Sequence, residues 1–310
     1  MTFDRRAIPN GAQVTRWPAP DGWELRTLTW PAPADRSARG SILFEGGRGD
    51  IFEKYLEAFA HWHAQGWTVT SFDWRGQGGS GRLTPRKHCG HIEDFAQFID
   101  DFAAFFAEWQ AATPGPHVVI GHSMGGHLVL RALVEGRAVP DALVLVAPML
   151  GLHSPLGLGE HFARFLGGIG NAARPAWKGN EKPYTTETRE NLLTHDPDRY
   201  QDELWWQQHD PDLLTGPPSW RWVIEAFRST RELRHDPRLK TVRVPVLGLL
   251  ADHDGLVDGK AAGKLLVELP DVRIARFGRE SAHEILREAD PVRNRALDEI
   301  DSFLQARVQP

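Results

Sequence analysis

A rhythm runs through this chain and leaves few folds open to it. Short apolar runs recur at Trp23–Trp30, Ser41–Glu45, Trp67–Asp73, His117–His122, Ala142–Ala147, Val244–Ala251 and Val272–Phe277. Several are rich in Val, Ile and Leu with little polar alternation, which is the pattern of strands buried on both faces of a parallel sheet. Helical patterns separate them at Ile51–Gln65, His91–Gln110, Met124–Glu135, Gly259–Leu269 and His283–Gln305. In the second of these, Phe95, Phe98, Phe102, Phe105, Phe106 and Trp109 return every three or four residues and form one apolar stripe. Such alternation predicts an α/β fold with a mostly parallel, doubly wound sheet. The rhythm stops between Leu150 and Asp236, where Gly and Pro joints separate helical fragments and no strand run is found, and it resumes at Val242. Residues 151–236 are therefore expected to form a helical cap, or lid, inserted into a core made of 1–150 and 237–310.

Composition narrows the function classes. A length of 310 residues suits one α/β domain with an insertion. The net charge of −5 gives no basic footprint for nucleic acid. Cys89 is the single cysteine, so no internal disulfide framework exists. No apolar run approaches the ~20 residues of a membrane span, and Met1–Gly11 has no apolar stretch of the secretory kind. A cytoplasmic protein is expected.

The strongest chemical signal is Gly121-His122-Ser123-Met124-Gly125-Gly126, which lies between an apolar run and a helical pattern. G-x-S-x-G at a strand-to-helix turn is a nucleophile elbow: the glycines allow a tight turn, which pushes the serine out above the sheet edge. A serine needs a base, and the base needs an orienting acid. In this architecture the chain order is serine, acid, histidine. The run Val244–Ala251 ends in Asp252-His253-Asp254-Gly255, and Val272–Phe277 is followed by Ser281-Ala282-His283-Glu284. Asp252 and Asp254 compete for the acid role, with Asp254 favoured by its deeper place in the loop; His283 is the expected base. Of two backbone donors for an oxyanion, one is expected from Met124. The other is expected from the turn after Ser41–Glu45, which reads Gly46-Gly47-Arg48-Gly49-Asp50. Its Arg-Gly-Asp triplet sits where the catalytic turn belongs, which speaks against an adhesion motif.

These residues resemble the α/β-hydrolase superfamily, in particular its bacterial lysophospholipase and monoacylglycerol lipase branch, which is serine aminopeptidase-like. The resemblance rests on residues 46–55, 72–83, the Ser123 elbow, Asp254 and His283. In the cap it rests on 191–196, Arg199-Tyr200 and 218–223. It implies a triad of Ser123, Asp254 and His283, with Met124 and Arg48 as oxyanion donors. It also implies hydrolysis of a single-acyl, lipid-like carboxylic ester without cofactor or metal, with transient contact at a membrane surface. Relatives often carry His-Gly where Gly46-Gly47 stands here, which leaves Gly47 and Arg48 both open as the second donor.

Other readings have weaker support. Gly76-Gln77-Gly78-Gly79-Ser80-Gly81 matches a dinucleotide fingerprint, but Pro85 and Gly90 follow where a helix should open. His61 and His63 point to different sides of their predicted helix, and no further ligand cluster completes a metal site. An aminopeptidase or amidase, a short-chain carboxylesterase, or a non-catalytic binding protein could use the same framework; for an amine substrate, Glu160, Glu181 and Glu203 are the available acids. Of the 12 Trp, Trp177, Trp205, Trp206, Trp220 and Trp222 fall in the cap. They line an acyl channel over Ser123 or form the cap's own small core.

Overall fold

A computed structural model describes residues 3–86, 88–153, 159–177 and 189–308. Eight strands form one sheet: β1 (Gln13–Pro18), β2 (Glu24–Trp30), β3 (Gly40–Glu45), β4 (Trp67–Phe72), β5 (His117–His122), β6 (Ala142–Val146), β7 (Val246–Ala251) and β8 (Val272–Phe277). Their spatial order is β1-β2-β4-β3-β5-β6-β7-β8. β1 and β2 pair antiparallel at one edge and every pairing from β4 to β8 is parallel. β3, β4, β5, β6 and β7 are buried along their whole length, as expected of parallel strands covered on both faces.

The two faces pack into separate cores. Leu43, Val119, Leu143 and Leu145 face a cluster containing Phe98, Phe102, Phe105, Phe106 and Trp109. These aromatics come from α2 (Ala96–Ala112), so the aromatic stripe lies against the sheet. The same cluster takes in α3 (Ser123–Val134) and α8 (Gly259–Leu266). On the other face, Ile42, Phe44, Val118, Ile120, Val144, Leu247 and Leu249 pack with Phe59 and Trp62 of α1 (Leu56–Ala64) and with Leu297, Ile300 and Phe303 of α9 (Asp290–Arg307). Burying side chains of this size stabilises the fold by roughly 1.5–3 kcal/mol each.

Between β6 and β7 the described residues contain no strand. They form α4 (Gly159–Gly168), α5 (Arg189–Leu193), α6 (Pro197–His209) and α7 (Trp220–Arg234). Side-chain caps at Asp196 and Ser219 start α6 and α7 by accepting bonds from Arg199 N–H and Trp222 N–H. Trp222, Ala226 and Leu233 anchor α7 in the core beneath it.

The sequence-predicted elements differ in three places. β1 was not predicted: its residues are mostly exposed and include Arg16 and Pro18, so it lacks an apolar signature. The segment 51–65 opens with a 3₁₀ turn at Phe52–Tyr55 before α1. His283 sits in a loop ahead of a 3₁₀ turn at Ile285–Arg287, and α9 starts only at Asp290. The glycine-rich loop 76–81 opens no helix. It wraps the Asp73 carboxylate, whose Oδ2 accepts a bond from Gly79 N–H at 2.8 Å, and a Cβ on Gly78 would lie 2.5 Å from the same oxygen.

Candidate active site

β5 runs straight into α3, and Ser123 occupies the junction with φ of 51°. That left-handed backbone is strained for a serine and is the sort of outlier that clusters at functional sites. The glycines around it are imposed by close approach. A Cβ on Gly121 would lie 2.7 Å from Gly126 Cα, and one on Gly125 would lie 2.4 Å from the carbonyl oxygens of Glu45 and Gly46. The helix start can therefore press against the ends of β3 and β5.

Two loops bring the other side chains to Ser123. Asp254 follows β7, and its Oδ1 accepts bonds from the N–H groups of Leu256 and Val257 at 2.7 and 3.0 Å. His283 follows β8; its Nδ1 donates to Asp254 Oδ2 at 2.6 Å, and its Nε2 lies 2.8 Å from Ser123 Oγ. In that tautomer Nε2 accepts the serine proton. Asp252, the competing acid, turns outward to Arg276 at 2.6 Å, and His253 is exposed. All three side chains of the Ser123–His283–Asp254 chain are buried. Burial works against charge on Asp254, but the neighbouring His283 and the two backbone N–H groups hold its carboxyl below the usual range. Burial likewise works against charge on His283, yet Asp254, assisted by Glu284 and Asp50, raises its pKa above the ordinary 6.5.

The turn after β3 comes within contact of the serine. A Cβ on Gly47 would lie 2.9 Å from Ser123 Cβ and 3.1 Å from His122 Nδ1, so only glycine fits there. A Cβ on Gly46 would lie 2.9 Å from Asp50 Cβ, which accounts for glycine at that position too. Gly47 N–H is spent on Asp50 Oδ2 at 2.7 Å. The N–H groups of Arg48 and Met124 have no hydrogen-bond partner among the described residues. Asp50 Oδ2 also accepts from Tyr55 Oη and His122 Nδ1, at 2.8 and 2.9 Å, and the His122 ring packs 4.8 Å from that of His283.

Behind this turn lies a buried ionic layer that no spacing in the chain announces. Lys54 Nζ meets Asp50, Glu203 and Glu284, Arg287 meets Glu203 and Glu284, and Arg189 meets Glu203. The members come from four separate stretches of chain, 50–54, 189, 203 and 284–287. The only local hint was the adjacency of Asp50 to the oxyanion turn and of Glu284 to His283.

Ser123 opens onto a cavity of about 190 Å³. Its apolar wall includes Met149, Leu152, Trp177, Leu192, Leu193 and Val257; Arg48, Arg189, Asp50 and Glu284 supply its charged groups. Trp222 lines it as well. The other three tryptophans expected at the substrate lie elsewhere. Trp205 stacks on His209 at 3.9 Å and packs edge-on against Trp206. Trp206 donates to the Arg5 carbonyl at 3.0 Å and packs toward the α1–α9 core. Trp220 lies under the Arg174 guanidinium at 5.5 Å. Helix α6 sits on the N-terminal segment, where Asp202 pairs with Arg5 and Arg6, and on the 3₁₀ turn 52–55, where Glu203 meets Lys54; Trp206 faces that segment and not Ser123. Of the acids considered for an amine, Glu203 belongs to the ionic layer and Glu160 pairs with Arg164 and Arg231; Glu181 lies outside the described residues.

Comparison with known proteins bears on the family and the fold. Residues 36–290 match the family described as serine aminopeptidase, S33. Lysophospholipase L2 of Escherichia coli (strain K12) is 31% identical over 288 residues, covering 85% of this chain and 80% of that protein. A probable lysophospholipase L2 of Haemophilus influenzae is 26% identical over 275 residues, covering 87% and 85%. Among solved structures, a soluble variant of monoglyceride lipase from Saccharomyces cerevisiae, in complex with a substrate analog, superposes with a TM-score of 0.78 at 19% identity, covering 99% of both chains. At that identity the likeness is one of fold.

Proposed function

The chain belongs to the serine aminopeptidase, S33 family of α/β-hydrolases, and from that premise we propose that it cleaves the carboxylic ester of single-acyl lipids, of lysophospholipid or monoacylglycerol type, through Ser123, His283 and Asp254. It is a carboxylic ester hydrolase, as its relatives' names indicate. The observation that carries the finer reading is the unbroken Ser123–His283–Asp254 hydrogen-bond chain beneath a largely apolar cavity. Residues 1–150 and 237–310 form the catalytic unit in this reading, and 151–236 form the cap.

His283 Nε2 takes the proton of Ser123 as Oγ bonds to the ester carbonyl carbon. Asp254 holds the imidazole tautomer and stabilises the imidazolium. The carbonyl oxygen becomes an oxyanion and accepts from Met124 N–H and Arg48 N–H, the two unspent donors of the site; each such donor is worth roughly 2.7–4 kcal/mol. His283 then protonates the leaving alcohol, the acyl group stays on Ser123, and a water deprotonated by His283 releases the acid. The apolar wall and Trp222 hold the acyl lipid in place. No helix among the described residues is long and apolar enough to cross a membrane.

An aminoacyl substrate would need a carboxylate for its ammonium group. Glu160 and Glu203 are already paired, and the cavity carboxylates Asp50 and Glu284 are neutralised by Lys54 and Arg287, which favours the ester. The test is fatty acid release from lysophosphatidylcholine and from monoacylglycerol of the same acyl chain, with Ser123→Ala as the blank. Release above the blank is expected; wild type equal to the blank on both substrates overturns the lipid reading.

A further inference from the structure

The cavity at Ser123 has charged and apolar lining residues, and strand order brings several of them in from opposite sides. β3 and β7 lie on opposite sides of the β5–β6 pair. The turn after β3 brings Arg48 to the cavity from one side of that pair, while the loops after β6 and β7 bring Met149, Leu152 and Val257 from the other. An acyl chain belongs against the apolar residues. The question is what the charged ones receive.

Four charged side chains line the cavity. Asp50 and Glu284 are neutralised from outside it, Asp50 by Lys54 and Glu284 by Lys54 and Arg287. Arg189 has Glu203 at 2.6 Å. Arg48 differs. Among the described residues it has no carboxylate partner: one Nη1–H donates to the Gly216 carbonyl at 2.9 Å, and the guanidinium lies 5.7 Å from the centre of the Trp222 ring. Other guanidinium groups set into this fold are paired: Arg26 with Glu53 and Asp73, Arg75 with Asp21 and Asp101, Arg199 with Glu57, Asp196 and Asp290. Desolvation and the nearby charge of Arg189 bring the Arg48 pKa down to about 10, so the group stays charged at neutral pH in a setting that disfavours its charge. A guanidinium carries five N–H donors in a fork that matches phosphate oxygens. With one donor used, the fork has capacity for an anion, and an anion there relieves both the desolvation and the repulsion from Arg189.

We propose that Arg48, braced on Trp222, is the headgroup subsite and takes the phosphodiester of a lysophospholipid, so that the enzyme selects phospholipids with one acyl chain over monoacylglycerols. This rests on the assignment of Ser123 as nucleophile in the same cavity. It adds a side-chain role to a residue whose backbone N–H faces the oxyanion.

Binding without turnover tests it. Decylphosphocholine and 1-O-decylglycerol, neither of which has a carboxylic ester to cleave, are titrated calorimetrically into the Ser123→Ala protein. The phosphodiester is expected to bind at least tenfold more tightly, because its anionic oxygens take charge-assisted hydrogen bonds that are stronger than those to a neutral hydroxyl. Adding Arg48→Gln is expected to lower the ratio of the two dissociation constants about tenfold, and Arg48→Lys to restore part of it because the charge returns without the fork. A ratio that Arg48→Gln leaves within twofold overturns the proposal. Inorganic phosphate is the third ligand: if it displaces decylphosphocholine at low millimolar concentration, Arg48 holds a free anion and the headgroup assignment falls. The catalytic reading fails separately. If Arg48→Gln removes the phosphodiester preference but the parent enzyme releases no fatty acid from any lysophospholipid, the subsite stands and the hydrolase assignment does not.

Discussion

His283 and Glu284 are neighbours in sequence, yet each ends a different buried array. His283 joins Asp254 to Ser123 through single bonds of 2.6 and 2.8 Å. Glu284 belongs to the ionic layer, where Lys54, Arg189 and Arg287 balance Asp50, Glu203 and Glu284 in formal charge. Both arrays are desolvated, so both have strong electrostatics. They differ in saturation. In the ionic layer each charge is answered by an opposite one, and moving a proton would strand a buried ion. In the triad the neutral form of the imidazole leaves Nε2 without a hydrogen, so the serine proton can pass to it and back while Asp254 stabilises the imidazolium. Saturation ties the turn at residues 46–50 to the His283 loop, and in the proposed mechanism the unsaturated array does the chemistry.

Breaking the reactive array should cost activity and leave the fold. Ser123→Ala is expected to lower kcat by roughly 10⁶-fold, the order found for loss of a triad nucleophile elsewhere, with the thermal midpoint unchanged; fatty acid release and a melting curve read both. A rate near wild type would remove Ser123 from the mechanism. Asp254→Asn is expected to cost about 10⁴-fold through the wrong imidazole tautomer, whereas Asp252→Asn, at an exposed pair, should change the rate little.

Breaking the saturated array should do the reverse. Lys54→Met leaves three carboxylates without their shared ammonium and is expected to destabilise the fold by about 3–5 kcal/mol, the cost of removing one partner from a buried pair. Urea denaturation measures it, and a loss below about 1 kcal/mol would mean that the layer relaxes or takes up protons. Gly47→Ala probes the seam between the arrays: its Cβ, 2.9 Å from Ser123 Cβ, must displace the oxyanion turn, with an expected loss of about 10²–10³-fold in kcat.

The smallest effect sharpens the contrast through pH. His283 must be neutral to accept the serine proton, so kcat/KM should fall as pH drops through its pKa. That pKa is raised above 6.5 by Asp254, which places the acid limb above pH 6.5. In Asp254→Asn the residual activity should have its acid limb at lower pH, because the charge that favoured the imidazolium is gone. A limb that does not move would show that Asp254 does not set the histidine's protonation.

How much of this was legible depends on how local each signal is. The parallel strands and the aromatic stripe of α2 were readable because burial on both faces, or on one helical face, imposes a period on adjacent residues. β1 was not, because an exposed edge strand imposes none. Asp254 was favoured over Asp252 only by its deeper place in the loop; that its carboxylate turns to His283 while Asp252 turns out to Arg276 is a matter of packing. The tryptophans between β6 and β7 show the same limit. Trp205 and Trp206 share a helix with Glu203, and only the seating of α6 against the N-terminal segment directs them away from Ser123.

The order of motifs along the chain was enough for the α/β-hydrolase architecture, the elbow at Ser123 and the loops that carry Asp254 and His283, because strand period, tight-turn glycines and chain order are written in neighbouring residues. Which N–H of the oxyanion turn is spent, which tryptophan lines the cavity, how the ionic layer saturates, and why Arg48 alone among the cavity's charged groups has no counter-ion among the described residues were all decided by packing. Those facts join residues far apart in the chain, and desolvation, which sets the cost and the partner of every buried charge, exists only once the chain has closed around them.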